Sequence, residues 1–589
     1  MKKILKNGLL TAILFAMPSY LLAENNSSVV SKGEIVTKSS NSVSSTWVKS
    51  SGLTSLGKEL INQIKKDKSV AEDLPFYKLY LNVKRDIKKG RFSAKLNRKM
   101  DKLYRSYMNY LINGGIDWKA FDAHIAKLKK KYDYNVGWEK HIPPYSAKKI
   151  LANAKLDGSF NDIFNRVEPN RFKYAKLKSN LVKFINIKHN GGWRVVKTNK
   201  TLNVGSSSSA IPLIRKRLKL EGDLNGCSEP MDSTVYDNCM AKAVKRFKLR
   251  HGSKGTSVID RATRAEFRKP VSYYIKKMRL NLDRIKWSNR KEARVRIELN
   301  IPAFRLYVYD GKDLVTTMRV ITGKPNHPTP VFSDVMTTIV VNPYWRIPES
   351  IVKKEMIKHL IKNPHYYEKQ HKYLYDGWGP NSKKVNPATV NWRKYKDNKK
   401  RIPYHFMQSP SSRNALGKIK FLFPNKYSVY IHDTPGKRRF FNEKRAFSHG
   451  CMRIQKPREL LKALSLYNSN INVDSIMKKL KTDDNKQIGL RRRIPVDITY
   501  FTSFVDDYGN LHFRDDVYGY DRAQYRGFYR NSSSKAVKDN NLEKSKKSKK
   551  RKSNKKSVKN SNKNGAKKNK LPAKNKEKKP KYEVIEIGY

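Results

Sequence analysis

The sequence predicts an α+β chain of several domains, and three observations lead to that. From about Val70 to Ile187, and again from about Ala210 to Trp287, apolar residues recur at three- and four-residue spacing, the period of a helix with one buried face. From about Ala293 the spacing changes to alternation, the period of a half-buried strand. Beyond residue 530 apolar residues become rare, and Lys, Asn and Ser take over. The expected order is an N-terminal α-helical scaffold, a second and smaller helical module, a mainly β domain of sandwich type with a helical or irregular insertion, and a disordered Lys-rich tail.

Residues 1–23 read as a secretory signal peptide. Lys2, Lys3 and Lys6 precede an apolar run from Leu9 to Ala16, Pro18 ends it, and Ala23 offers a small residue for cleavage. The run is shorter than the ~20 residues needed to span a bilayer, so an exported soluble protein is expected rather than an uncleaved anchor. Residues 24–68 are rich in Ser, Asn and Thr and read as a flexible linker, with Leu56, Leu60, Ile61 and Ile64 adding a short amphipathic helix at its end.

The scaffold is placed at 69–204. Tyr80, Val83 and Ile87, then Met100, Leu103, Tyr104 and Tyr107, mark its helical faces, Gly114-Gly115 breaks a helix, and Pro143-Pro144 marks a turn. The second module is placed at 205–288. Ile211, Ile214 and Leu218 precede Gly222-Asp223, and Met240, Ala243, Val244 and Phe247 form the next apolar face.

The β domain is placed at 292–525. Val295 to Leu299 alternates; Phe304 to Tyr309 and Leu314 to Ile321 read as a hairpin turning at Asp310-Gly311. Met336 to Val341 is a further strand, followed by Asn342-Pro343-Tyr344-Trp345 and a helix from about Glu349 to Ile361. The polar stretch to about Leu416 has little period and reads as an insertion, about 352–418, that caps the domain. Tyr427 to His432 alternates again, with Ser428, Tyr430 and His432 on one face. A helix near Arg458 to Leu466 and strands at Val496 to Thr502 and Asn510 to Phe513 complete the domain.

The chain carries 127 Lys and Arg against 50 Asp and Glu, a net charge of +77. The tail, 531–582, accounts for under a quarter of this excess, so most of it belongs to the body. Such a field favours anionic partners, here envelope polymers or lipid headgroups, although a Lys- and Asn-rich composition by itself accounts for it equally well. Nucleic acid is not expected, because the tail has almost no aromatics to stack on bases. Of three cysteines, Cys227 and Cys239 lie close enough in sequence to close a small disulfide loop in an exported protein, with two reduced, partly buried thiols as the alternative. Cys451 is the odd thiol.

Cys451 stands in Phe447-Ser448-His449-Gly450-Cys451-Met452-Arg453, with His432 at the end of the preceding strand. A thiolate attacks carbonyl carbon far better than a thiol, so a nucleophilic Cys needs a base or positive charge nearby. Gly450 allows a tight turn that aims backbone N–H groups at a developing oxyanion.

This pattern resembles the L,D-transpeptidases, whose signature is a His, a gap, and Ser/Thr-His-Gly-Cys. His432 and Ser448-His449-Gly450-Cys451 fit it, and the surrounding text is similar to the large multidomain Gram-negative branch. The resemblance implies a periplasmic cysteine acyltransferase that joins peptidoglycan stem peptides by 3→3 cross-links, with Cys451 as nucleophile and no cofactor. His432 holds the family's base position, with His449 as the competing imidazole. Ser448, His449 and Gly450 are the expected support of the active site, and Arg453, Tyr430 and Trp345 the expected substrate contacts.

The module at 205–288 looks like the peptidoglycan-binding module of exported hydrolases, although Ser257 and Asp260 stand where glycines are usual. The same acyl-enzyme would equally serve attachment of an envelope protein or exchange of D-amino acids, and a catalytically silent, basic wall-binding scaffold is the rival of a different class. A zinc site from His405, His432, His449 and Cys451 is the chemical rival; its spacing matches no common zinc pattern, so no metal is expected.

Overall fold

The computed structural model describes residues 45–525 apart from 117, 133–135, 142–144, 289–291, 379–380 and 397–399. The signal peptide, residues 24–44 of the linker, the Pro143-Pro144 turn and the Lys-rich tail lie outside the described residues. The first half is helical and the second β-rich, a mixed α+β multidomain architecture. None of the described helices is long and apolar enough to cross a membrane.

Helices Ser55–Lys66, Tyr77–Lys88 and Ala94–Asn113 pack around Leu60, Val83, Leu103 and Tyr107, all buried. Residues 46–54 of the segment expected as linker are therefore packed against the scaffold. Trp47 is 1% exposed and lies against Tyr104 and Phe160, and the Thr54 hydroxyl caps the first helix by accepting the Gly57 N–H. Serine-rich composition concealed one buried indole, and a tryptophan of that size anchors a chain by area alone.

The scaffold and module divide differently from expectation. Helix Trp118–Tyr132 packs on the β domain, where Phe121 meets Trp138 and Tyr520 edge-on at ring distances of 5.2 and 5.8 Å. Helices Phe172–His189 and Val271–Trp287 share a core of Leu177, Leu181, Tyr274 and Met278. The core of the small module, from Val196 through Ile214, Met240 and Phe247, ends at Phe267, so the helix expected to close the module serves as a central strut instead. Within the module Cys227 and Cys239 are disulfide-bonded, Cα to Cα 5.7 Å.

Nine strands build the β domain: β1 (Val295–Asn300), β2 (Arg305–Asp310), β3 (Asp313–Gly323), β4 (Phe332–Val341), β5 (Ile419–Leu422), β6 (Ile431–His432), β7 (Ala446–Ser448), β8 (Met452–Ile454) and β9 (Lys486–Thr499). Their order is β7-β3-β8-β6-β5-β4-β9-β1-β2, and β2 pairs again with β3. The expected sandwich is thus one sheet closed on itself. β3 is long enough to hold β2 along Asp313 to Arg319 and β8 at Val320 and Ile321. Ile297, Val308, Ile339, Phe421 and Met452 fill the interior.

The cap carries the helical segments the sequence suggested, at Val352–Met356, Ile357–Leu360 and in short turns such as Trp392–Tyr395, together with strands that it did not suggest. It holds a four-stranded antiparallel sheet in the order Trp345–Arg346, His405–Gln408, Lys372–Tyr375, Lys384–Val385, over a core of Ile347, Leu360, Trp392 and Phe406. Strands this short show no period in the sequence. The expected helix from Glu349 is interrupted by a π turn at Val352–Met356, a feature that often marks functional sites.

Candidate active site

The strand expected over 427–432 is only two residues long. Asn425 holds the approach in a turn: its amide donates to the Phe423 and Val429 carbonyls, and its oxygen accepts the N–H groups of Tyr427 and Val429. Ser428 takes φ +54° there. β6 then lies between β5, antiparallel, and β8, parallel, with His432 beside Lys420 on one side and Arg453 on the other. The Met452 N–H donates to the Tyr430 carbonyl at 3.0 Å. This register brings Cys451, one residue before Met452, alongside Tyr430.

The turn before Cys451 is fixed from inside. The Ser448 hydroxyl donates to the Cys451 carbonyl at 2.6 Å and accepts the Gly450 N–H at 3.2 Å. Gly450 sits at φ +113°, where an L side chain would be strained. Thr329 donates to the Gly450 carbonyl at 2.7 Å and accepts the Gly323 N–H, tying this turn to the end of β3. The Gly450 N–H, expected to face an oxyanion, is therefore engaged by Ser448. Serine's hydroxyl is close enough to outcompete the cleft for it.

Burial pushes the Cys451 thiol up from its ordinary range, against the opposing pull of the Tyr430 N–H and hydroxyl, Lys420 and Arg453. Burial, with Arg453 next, lowers His432 to about 3. The resting pair is thus a thiol and a neutral imidazole, where the sequence had suggested a thiolate. The His432 Nδ1 donates to the Asp433 carbonyl at 2.5 Å. In a neutral ring this leaves Nε2 with the lone pair, the form a general base requires. Removing the Tyr430 hydroxyl with Tyr430→Phe takes one hydrogen bond from the ionised sulfur, worth about 1.5 kcal/mol. That is about one unit of thiol pKa, so iodoacetamide should alkylate Cys451 roughly tenfold more slowly at fixed pH below the thiol pKa.

A cleft of ≈ 750 Å³ opens over these groups, lined by Trp345, Tyr430, His432, His449, Cys451 and Arg453 among others. Every site residue expected from the sequence except the Cys227–Cys239 pair therefore reaches this cleft or the turn that frames it. The Arg453 guanidinium is pressed below its ordinary value by burial and by Arg439, and lies at the Cys451 end. Trp345, on the cap sheet, carries the Lys372 ammonium 5.4 Å from its ring centre. The zinc rival's His405 stacks instead on Trp378 in the cap, ring centres 4.1 Å apart, so that set is not assembled.

Sequence reasoning missed three groups. Lys420 enters through strand pairing, its ammonium 3.9 Å from the centre of the Tyr430 ring. Glu355 in the π turn meets His449 Nε2 at 2.5 Å, and His327 crosses the His449 ring edge-on at 4.7 Å. No spacing in the sequence joins Glu355 or His327 to the Cys451 turn.

Residues 294–473 match the YkuD family model, described as the L,D-transpeptidase catalytic domain. Over those residues the chain is similar to the L,D-transpeptidase catalytic domain. A Haemophilus influenzae protein named "Putative L,D-transpeptidase" is 31% identical over 226 residues, which cover 38% of this chain and 44% of that one. The chain thus spans less than half the length of that curated relative. An L,D-transpeptidase from Mycobacterium smegmatis shares 12% identity over 35% of this chain and 59% of its own, with a TM-score of 0.17. The L,D-transpeptidase of Xylanimonas cellulosilytica shares 13% over 51% and 98%, with a TM-score of 0.15.

Proposed function

We propose that this protein is an exported peptidoglycan L,D-transpeptidase that forms 3→3 cross-links through an acyl-enzyme on Cys451. The observation that carries the reading is the placement of Cys451, on a turn locked by Ser448 and Thr329, in a cleft shared with the buried, neutral His432.

In this reading the Cys451 sulfur attacks the carbonyl of the third residue of a tetrapeptide stem as its proton passes to His432 Nε2. The oxyanion is met by the Cys451 N–H. His432 returns the proton to the departing amine of the terminal D-Ala, leaving a thioester. The side-chain amine of a second stem then attacks the thioester, giving up a proton through His432, and the thiol is restored. Arg453 offers a bidentate contact to a stem carboxylate, and Trp345 and Tyr430 flank the peptide. The cap narrows the entrance, the small module engages the glycan, and the basic body holds the enzyme on anionic envelope polymers or lipid headgroups.

Incubation of the mature protein with a carbapenem, followed by intact-mass measurement, tests the reading. One adduct is expected on the wild type and none on Cys451→Ala. An adduct that persists in the Ala variant would overturn the nucleophile. Muropeptides from sacculi treated with the enzyme should then gain 3→3 dimers.

A further inference from the structure

We propose that His327, Glu355 and His449 form a binding site for one first-row divalent cation of the zinc type, which fastens the cap to the catalytic turn. The three come from separate segments. His327 lies in the loop between β3 and β4, Glu355 in the π turn of the cap, and His449 two residues before Cys451. Their ligand atoms all lie within 4.8 Å of one another. The Glu355 oxygen already touches His449 Nε2, and the two imidazoles cross edge-on.

Two imidazoles and one carboxylate, with a position left open, are a donor set that zinc takes in catalytic sites. Zn–N and Zn–O distances of about 2.1 Å in a tetrahedron place ligand atoms about 3.4 Å apart. Glu355 and His449, now 2.5 Å apart, must therefore part by about an ångström, while the widest pair of the set, within 4.8 Å, must draw in; all three residues are only partly buried.

Surrounding charge selects among cations. Lys324 and Lys354 lie near enough to His327 to act on its charge, and the set supplies a single carboxylate. Magnesium and calcium, which depend on several oxygen ligands, are poorly served. A cation that bonds imidazole gains where those lose. The π turn gives the site a structural rationale: one extra residue in the helix turns Glu355 toward the catalytic loop. The Glu355–His449 hydrogen bond already joins cap and turn; a cation would bring the β3–β4 loop to the same centre.

The test uses the full chain carrying Cys451→Ala, so that the thiol cannot take the metal. This separates it from the acyl-transfer reading, which is tested on the wild-type thiol. Titration with Co²⁺, read by its tetrahedral visible absorption, and with Zn²⁺, read by calorimetry, should each show one equivalent bound. Glu355→Gln and His327→Ala should each weaken binding by on the order of 10- to 100-fold. Zinc should also slow amide exchange in residues 347–361 of the Cys451→Ala protein, and not when Glu355→Gln is added. Absence of a bound equivalent in Cys451→Ala, affinity untouched by both ligand replacements, or magnesium binding as tightly as zinc would each overturn the site.

Discussion

Replacing His432 with glutamine should slow acylation of Cys451 by on the order of 10²- to 10⁴-fold, the usual contribution of a positioned general base. The expectation follows from the surroundings of the ring. His432 is buried and held neutral, and its Nδ1–H is given to the Asp433 carbonyl. Glutamine fills similar space and can donate to that carbonyl, yet it cannot accept a proton at neutral pH. Because the Cys451 thiol is pushed up by burial, attack depends on a base to remove its proton during the step. The rate of carbapenem adduct formation measures the loss. His449→Gln separates the two imidazoles, since His449 is turned toward Glu355 and should cost far less. Equal losses in the two variants would remove His432 from the role of base.

The residues at the centre of that prediction were legible from the sequence, and their arrangement was not. Chain chemistry pointed to Cys451 and His432, and alternation gave β1 to β4 with the Asp310-Gly311 turn. What alternation cannot give is register between strands distant in sequence. The parallel pairing of β6 with β8 sets Arg453 beside His432 and leaves Cys451 beside Tyr430, so the sulfur meets a phenol that was expected only as a substrate contact.

β9 was legible only in its second half, for a related reason. Arg491, Arg492 and Arg493 interrupt its alternation at the place where its register with β4 shifts, between Gly489 and Ile494. Exposed arginines at an irregularity read as loop, although the strand continues on both sides. The linker, the divided scaffold and the cap share another cause. Their burial depends on partners such as Trp47 on Phe160 or Phe121 on Tyr520, which lie far away in the chain.

The largest expected loss of stability lies away from the cleft, at Glu221. Arg217 is wholly buried, with Nε on Glu221 at 2.8 Å, one amino group on the Glu266 carbonyl and the other on the Tyr274 hydroxyl. Its guanidinium also lies 4.7 Å from the centre of the Trp193 ring. Arg250 adds a second cation to Glu221 at 2.9 Å. Glu221→Gln leaves the buried Arg217 without a counter-charge, while Arg250 keeps Asp223, and should cost about 3–5 kcal/mol. Hydrogen exchange of helix Asn238–Arg250 would report the loss as a lower opening free energy. The double replacement Arg217→Met, Glu221→Leu should recover much of it, because two matched apolar groups need no counter-charge.

The same network sets an acid limit. Burial alone would raise the Glu221 carboxyl, but Arg217, His251 and Arg250 outweigh it and hold the group well below the ordinary carboxylate range. In the unfolded chain the group titrates near about 4.3. A depressed folded value means the stabilisation is complete above that pH and is lost as pH falls toward the folded value. The gap between wild type and Glu221→Gln should therefore be full at pH 7 and shrink steadily below about pH 4. A gap of constant size down to pH 3 would mean that the carboxylate's charge is not what holds the module to its central helix.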